Sequence, residues 1–264
     1  MTGIDRISRV FEKGRGTKLM AHAVCGYPDM AASARILGTM ASAGADLIEA
    51  QLPFSDPSAD GRSIVEANYS ALRAGSTTAA CLSVLEDLRR KTKTPILVMS
   101  YLNPILACGV DALIERLVDS GLDGLIIPDF PDDEPELRLA EKCADVGLAL
   151  VPLIAPTTSL ERASALARDS ASPFLYAILR LGVTGRKTEL DSSSFERLAT
   201  LKASTGKYIA AGFGIRERAQ IEALSGVADC AIVGSALVDA ARIAAAEGRD
   251  PALAVGSLVR QLRN

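Results

Sequence analysis

The chain of 264 residues carries a formal net charge of −3, with 32 acids against 29 bases and 48% apolar residues. That content supports a large core and excludes a disordered chain, and the balanced charge without a basic stripe of interleaved aromatics argues against a nucleic-acid binder. No apolar run reaches membrane-spanning length and the N-terminus shows no signal-peptide pattern, so a cytoplasmic protein is expected.

In chain order, residues 2–13 predict a short amphipathic helix with Ile4, Ile7, Val10 and Phe11 on one face. Lys18 to Val24 is the first apolar run, closed by Cys25-Gly26-Tyr27-Pro28, and Met30 to Ala43 has helical spacing ending at Gly44. A second strand over 46–51 leads into an acidic, proline-punctuated loop, followed by helical segments at 63–74 and 77–91. The third run, Pro95 to Ser100, ends at Tyr101-Leu102-Asn103-Pro104, and a helix follows from Val110 to Ser120. Asp123 to Ile127 reads as the fourth strand, with a charged helix from Asp132 to Val146 behind it. Leu148 to Leu153 is the fifth, and Ser159 caps a helix to Arg168. Phe174 to Leu179 is the sixth, followed by a polar segment from Arg180 to Ser194. Helix 195–203, strand Tyr208–Ala211, helix 216–224, strand Ala228–Val233, helix 235–246 and helix 251–262 complete the chain.

Eight apolar runs, each followed by a helical pattern, imply parallel strands closed into a ring. Length alone would admit two small domains, but no linker interrupts the alternation. The expected architecture is α/β: a single (β/α)8 TIM barrel with a short N-terminal helix, one domain over residues 1–264. An open doubly wound sheet would want a glycine fingerprint after the first strand, and Cys25-Gly26-Tyr27-Pro28 is not one.

The stretch that organises the chemistry runs from Leu47 to Gly61. Glu49 interrupts a strand that is otherwise largely apolar, and a carboxylate in such a wall is costly unless paired or protonated. Pro53 and Pro57 stop the strand, and the loop they define carries Asp56 and Asp60. Glu49 and Asp60 form a candidate acid/base pair. In this architecture the site lies at the C-terminal strand ends, which selects His22, Glu49, Asp56, Asp60, Tyr101, Asn103, Asp129, Tyr176 and Arg180. Three glycine turns join them: Gly182-Val183-Thr184-Gly185, Gly212-Phe213-Gly214-Ile215 and Gly234-Ser235. The last opens a helix whose free N–H groups suit an anion, so a phosphate-bearing substrate is expected. Strands four to six carry no Schiff-base lysine. With a single histidine, a histidine-rich metal site and a serine triad on any other histidine are excluded. Carbon–carbon chemistry would then proceed by proton transfer between carboxylates and substrate. The five cysteines, at 25, 81, 108, 143 and 230, contain no CxxC and read as reduced, mostly buried small hydrophobes.

Pro53-Phe54-Ser55-Asp56-Pro57 with Ala59-Asp60-Gly61, Tyr101-Leu102-Asn103-Pro104, Leu181-Gly182-Val183-Thr184-Gly185, Gly212-Phe213-Gly214-Ile215 and Val233-Gly234-Ser235-Ala236 together resemble the tryptophan synthase α-chain family over the whole length. The resemblance implies cofactor-free retro-aldol cleavage of indole-3-glycerol phosphate to indole and glyceraldehyde 3-phosphate. It also implies a pyridoxal-phosphate β chain that receives the indole, in an α2β2 assembly. Carried over by position, Glu49 would protonate the ring carbon and Asp60 would hold the indole N–H. His22, Tyr101, Ile126, Tyr176 and Thr184 would line the substrate, and Gly185, Phe213, Gly214, Gly234 and Ser235 would bind its phosphate. Asp56 and Pro57 would contact the partner, and the loop through Asp56 and residues 182–190 would close over the substrate.

The chain departs from that family at His22, where an aromatic is usual, at Tyr27 in place of an acid, at Gln51 in place of a glycine and at Arg62 in place of a proline. His22 reads either as a hydrogen-bonded wall residue or as a catalyst, and Arg62 either as a solvated charge or as a partner of Asp60. Asp56 reads as a loop cap or a partner contact, and Tyr101, Asn103 and Asp129 as loop braces or ligand contacts. Two other functions stay open at this level: a stand-alone indole-producing lyase, and a non-catalytic paralogue that binds a phosphate ester and activates a β chain.

Overall fold

A computed structural model describes all residues except 15, 132–135, 179–191, 213 and 264. Nine parallel strands form one sheet: β1 (Lys18–Val24), β2 (Leu47–Gln51), β3 (Ile96–Met99), β4 (Gly124–Ile126), β5 (Ala149–Leu150), β6 (Leu153–Ile154), β7 (Phe174–Ile178), β8 (Tyr208–Gly212) and β9 (Cys230–Val233). Their order is β5-β4-β3-β2-β1-β9-β8-β7-β6, so the two edges are consecutive pieces of one chain segment. Val151 N–H donates to Leu125 on one side, and the Pro152 carbonyl accepts from Tyr176 N–H on the other, which closes the ring. The fifth expected strand is thus one barrel stave recorded as two, because Pro152 has no N–H to continue the ladder. The result is a (β/α)8 barrel.

Among the described residues, twelve helices accompany the strands: α1 (Gly3–Glu12), α2 (Met30–Ser42), α3 (Arg62–Arg73), α4 (Thr78–Lys91), α5 (Leu102–Cys108), α6 (Val110–Asp119), α7 (Leu139–Asp145), α8 (Leu160–Asp169), α9 (Ser192–Thr205), α10 (Arg218–Ala223), α11 (Ser235–Ala246) and α12 (Pro251–Arg263). Several begin where a side chain satisfies a free backbone donor. Thr2 and Asp5 form a reciprocal capping box on α1, Asp29 accepts Ala32 N–H at 2.8 Å, and Ser159 accepts Arg162 N–H at 3.2 Å. Two expectations change. Helix α5 fills the turn after β3, since Pro104 stands in its first turn, where a missing N–H is harmless. Helix α7 starts only at Leu139, after Arg138 adopts a left-handed φ of 48°.

Strand residues alternate between two apolar layers. Leu19, Ala21, Ile48, Ala50, Ile96 and Val98 point outward to the helices. Met20, Leu47, Leu97, Phe174, Ala210 and Cys230 fill the interior. Ile7 and Phe11 of α1 plug the N-terminal mouth, with the Phe11 ring stacked on Tyr208 at 4.7 Å and tilted against Phe174 at 5.5 Å. The interior can therefore open only at the opposite end. His22 and Glu49 belong to the inward set, one step above the packed layer.

Candidate active site

A cavity of about 360 Å³ occupies the C-terminal mouth of the barrel. Its apolar wall includes Ile64, Met99, Ile126, Leu153, Tyr176 and Ile232. Its polar groups sit on two sides. On one are Glu49 and Asp60, 3% and 7% exposed, which reach the same cavity from β2 and from the loop after it. On the other are Gly214, Gly234 and buried Ser235, where the twelve-residue α11 directs its first-turn N–H groups and positive dipole end.

The ladder register explains how Glu49 is met. His22 on β1 pairs directly with Glu49 on β2, which brings His22 Nδ1 to 3.2 Å from Glu49 Oε2. Burial disfavours the charged imidazole, but the Glu49 carboxylate, and more weakly Asp60, outweigh it and raise the His22 pKa. His22 therefore belongs to the cavity wall and touches the candidate acid.

Asp60 is held from behind. The Gln51 amide, also inward on β2, donates to Asp60 Oδ2 at 2.6 Å. Tyr101 is buried beneath the same loop; its hydroxyl accepts Ala59 N–H at 3.0 Å and its ring stacks on Phe54 at 5.4 Å. Burial pushes the Asp60 carboxyl above its ordinary range, while Gln51, His22 and the Tyr101 hydroxyl pull it back. Burial first, then Glu49 and Asp60, push the Tyr176 phenol well above its usual value, so it stays neutral. Gly212 makes room for that phenol: a Cβ there would lie 3.2 Å from the Tyr176 oxygen.

Other expected residues take definite places. Tyr101 braces the loop and is not part of the cavity lining. Asp129 accepts Leu102 N–H at 2.8 Å at the start of α5, and Asn103 is exposed. Asp56 is exposed and Pro57 buried in the loop, with the Pro57 carbonyl accepting Asp60 N–H. Arg62 settles as a solvated charge, 91% exposed and paired with Glu66 at 2.7 Å. Arg180, Thr184, Gly185, Phe213 and the segment 182–190 lie outside the described residues. Sequence reasoning missed Met99, Leu153 and Ile232 in the wall. Their signal is the two-residue alternation that puts Met99 opposite Gln51 and Ile232 two places beyond Cys230. Four cysteines are buried and Cys108 is exposed, all of them free. Among the described residues no helix is long and apolar enough to cross a membrane.

Known proteins share this arrangement. A family model described as "Tryptophan synthase alpha chain" matches residues 9–263. The tryptophan synthase alpha chain of Carboxydothermus hydrogenoformans is 42% identical over 239 residues, covering 89% of each chain. That of Prochlorococcus marinus is 38% identical over 261 residues, covering 98% of this chain and 93% of the other. A solved structure of Mycobacterium tuberculosis tryptophan synthase superposes with a TM-score of 0.84 at 31% identity, over 98% of this chain and 95% of the other. With two buried acids and a helix N-terminus at the mouth of a barrel whose sequence matches over residues 9–263, the chain belongs to the tryptophan synthase alpha chain family.

Proposed function

We propose that Glu49 and Asp60 carry out this family's reaction here, the cleavage of indole-3-glycerol phosphate to indole and glyceraldehyde 3-phosphate. The observation that carries the assignment is that the two acids face one cavity whose far rim is the N-terminus of α11. The indole ring occupies the apolar wall of Met99, Ile126, Leu153 and Ile232, and the phosphate rests on Gly214, Gly234 and Ser235. Glu49 gives a proton to the ring carbon bearing the side chain. Asp60, as a carboxylate, accepts the ring N–H and offsets positive charge developing on it. The carbon–carbon bond then breaks, its electron pair returns to the ring, and the side-chain hydroxyl gives its proton to the Glu49 carboxylate as the aldehyde forms. Water-poor surroundings strengthen both charge interactions.

No cofactor enters the step in this chain; pyridoxal phosphate belongs to the β chain, which takes the indole in the heterotetramer. The exposed Asp56 loop is the proposed contact with that partner, 1–264 the proposed single domain, and the cytoplasm the proposed compartment. Reduced, mostly buried cysteines support the last of these.

The test is indole release from indole-3-glycerol phosphate, measured with and without a β chain. A subunit turns over slowly alone and accelerates with its partner, whereas a stand-alone lyase is fast without it. Glu49→Gln should lower turnover by about 10²- to 10⁴-fold while the circular dichroism spectrum is unchanged. A Glu49→Gln protein that keeps most of its activity would remove Glu49 from the mechanism.

A further inference from the structure

His22 is 4% exposed and lines the cavity, yet its ring is satisfied on one side only. Nδ1 faces Glu49 Oε2 at 3.2 Å, while Nε2 is buried with no hydrogen-bond partner among the described residues. An unpartnered buried ring nitrogen is costly, and an apolar side chain would close the wall without that cost. The other edge of the ring has a definite address. A Cβ placed on Gly234 would lie 3.6 Å from His22 Cβ, Cγ and Cδ2, so the Cγ–Cδ2 edge of the ring packs against the turn that opens α11. The imidazole thus lies between Glu49 and the turn that opens α11, on the wall of the cavity they share.

We propose that His22 and Glu49 act as one acid–base unit, with a proton shared between Nδ1 and Oε2 and Nε2–H donating to an oxygen of the substrate's phosphorylated side chain. The inference rests on the lyase reading and deepens it. The shared proton passes through Glu49 to the ring carbon. The carbon–carbon bond breaks with its electron pair returning to the ring, and the proton lost from the side-chain hydroxyl comes back to the pair. One proton leaves the unit and one returns, so no external acid or base is needed. Throughout, the Nε2 contact holds the side chain so that its hydroxyl and the ring carbon both face Glu49.

The ionisable groups that face this unit are Glu49 from β2, Asp60 from the following loop, Tyr176 from β7 and Cys230 from β9. Burial raises the pKa values of both Tyr176 and Cys230, so these two stay neutral where imidazole titrates. The carboxylates alone then set the charge that His22 feels.

The chain contains a single histidine, so its imidazole resonances are unambiguous in a nitrogen-15 spectrum. In the wild-type protein the His22 titration should lie above that of a free imidazole and fall on Glu49→Gln. Adding sn-glycerol 3-phosphate should move the Nε2 signal more than the Nδ1 signal. In kinetics, His22→Phe should raise KM about tenfold or more, as expected for losing a hydrogen bond to a charged or reacting oxygen, and move the alkaline limb of the kcat/KM profile to lower pH, because Glu49 must then hold the proton alone. His22→Gln, which can donate near the Nε2 position but does not titrate, should recover most of KM and not the position of the limb. The unit is overturned if Glu49→Gln leaves the His22 titration in place, or if His22→Phe keeps the wild-type KM and pH profile. A wild-type protein that releases no indole even with a β chain would instead strike the lyase reading. The two imidazole titrations would still decide the pair.

Discussion

Gln51 and Asp60 meet at 2.6 Å, Nε2 to Oδ2, inside the barrel wall. The contact joins a residue pointing inward from β2 to the loop that leaves the same strand. It stabilises the Asp60 carboxylate against the burial that pushes its pKa up. Yet Gln51 Oε1 is itself buried without a partner.

Gln51→Leu separates these two effects. Losing a hydrogen bond to a carboxylate costs about 1.5–3 kcal/mol, and removing a buried orphan oxygen returns about 1–3 kcal/mol. The net stability change by urea denaturation should therefore stay within about 1 kcal/mol. In the proposed mechanism Asp60 offsets charge on the indole ring as a carboxylate, and without Gln51 its pKa rises further. The acid limb of kcat/KM should move to higher pH. A large loss of stability with an unmoved acid limb would make Gln51 a packing residue only.

Two glycines in the site answer differently to alanine. At Gly212 the added Cβ would stand 3.2 Å from the Tyr176 oxygen and 3.3 Å from Cε1, so the phenol must shift. At Gly234 the nearest atoms, all of His22, lie at 3.6 Å, an ordinary contact, and φ is −113°. Gly212→Ala should lower the melting temperature and turnover together, through displacement of Tyr176. Gly234→Ala should leave the melting temperature close to wild type but weaken sn-glycerol 3-phosphate binding by calorimetry, because the methyl group covers the approach to the α11 N–H groups. Equal binding by wild type and Gly234→Ala would move the phosphate site elsewhere.

The eight staves were legible because a parallel barrel buries both faces of each strand, leaving short apolar runs that stand out between helices. What the runs do not encode is partnership. Pro152 falls inside the expected fifth strand, and that the ring closes across it follows only from which strands become neighbours. Pro104 was read as an end and proved to be the first turn of a helix, since proline is tolerated in both settings. Glu49 stands out as an acid in improbable surroundings, whereas Asp60, alone an ordinary turn residue before glycine, stands out only through the motif around it. That His22 faces Glu49 depends on the β1–β2 register, and that Gln51 supports Asp60 depends on a loop folding back over its own strand. Neither has a local sequence signal.

The His22–Glu49 pair also ties stability to pH. The His22 pKa is raised in the folded protein, so the native state holds the proton more tightly than the unfolded chain does. The stabilisation is fully present below the unfolded value of about 6.5 and is lost as pH rises through the raised folded value. The stability of wild type relative to His22→Phe, from denaturant titrations, should therefore decline between about pH 6 and the folded pKa and then level off. A flat difference would mean that folding leaves the imidazole pKa unshifted, and a rising one that the fold keeps the imidazole neutral; either would sink the pair.

At the closed end of the barrel the expectation reverses, because the residues there set stability and are remote from the chemistry. Phe11, 7% exposed, stacks on Tyr208 and packs on Phe174 beneath the interior layer. Truncation to alanine leaves a void against close-packed rings, which by comparison with other buried phenylalanines costs about 3–5 kcal/mol. The layer of Met20, Leu97 and Phe174 separates this plug from the cavity, so the positions of Glu49, Asp60 and Ser235 should not change. Phe11→Ala should accordingly unfold at markedly lower denaturant while KM and turnover, measured well below its melting transition, match wild type. A Phe11→Ala protein that keeps its stability, or that loses turnover while still folded, would show that the N-terminal helix does something other than plug the barrel.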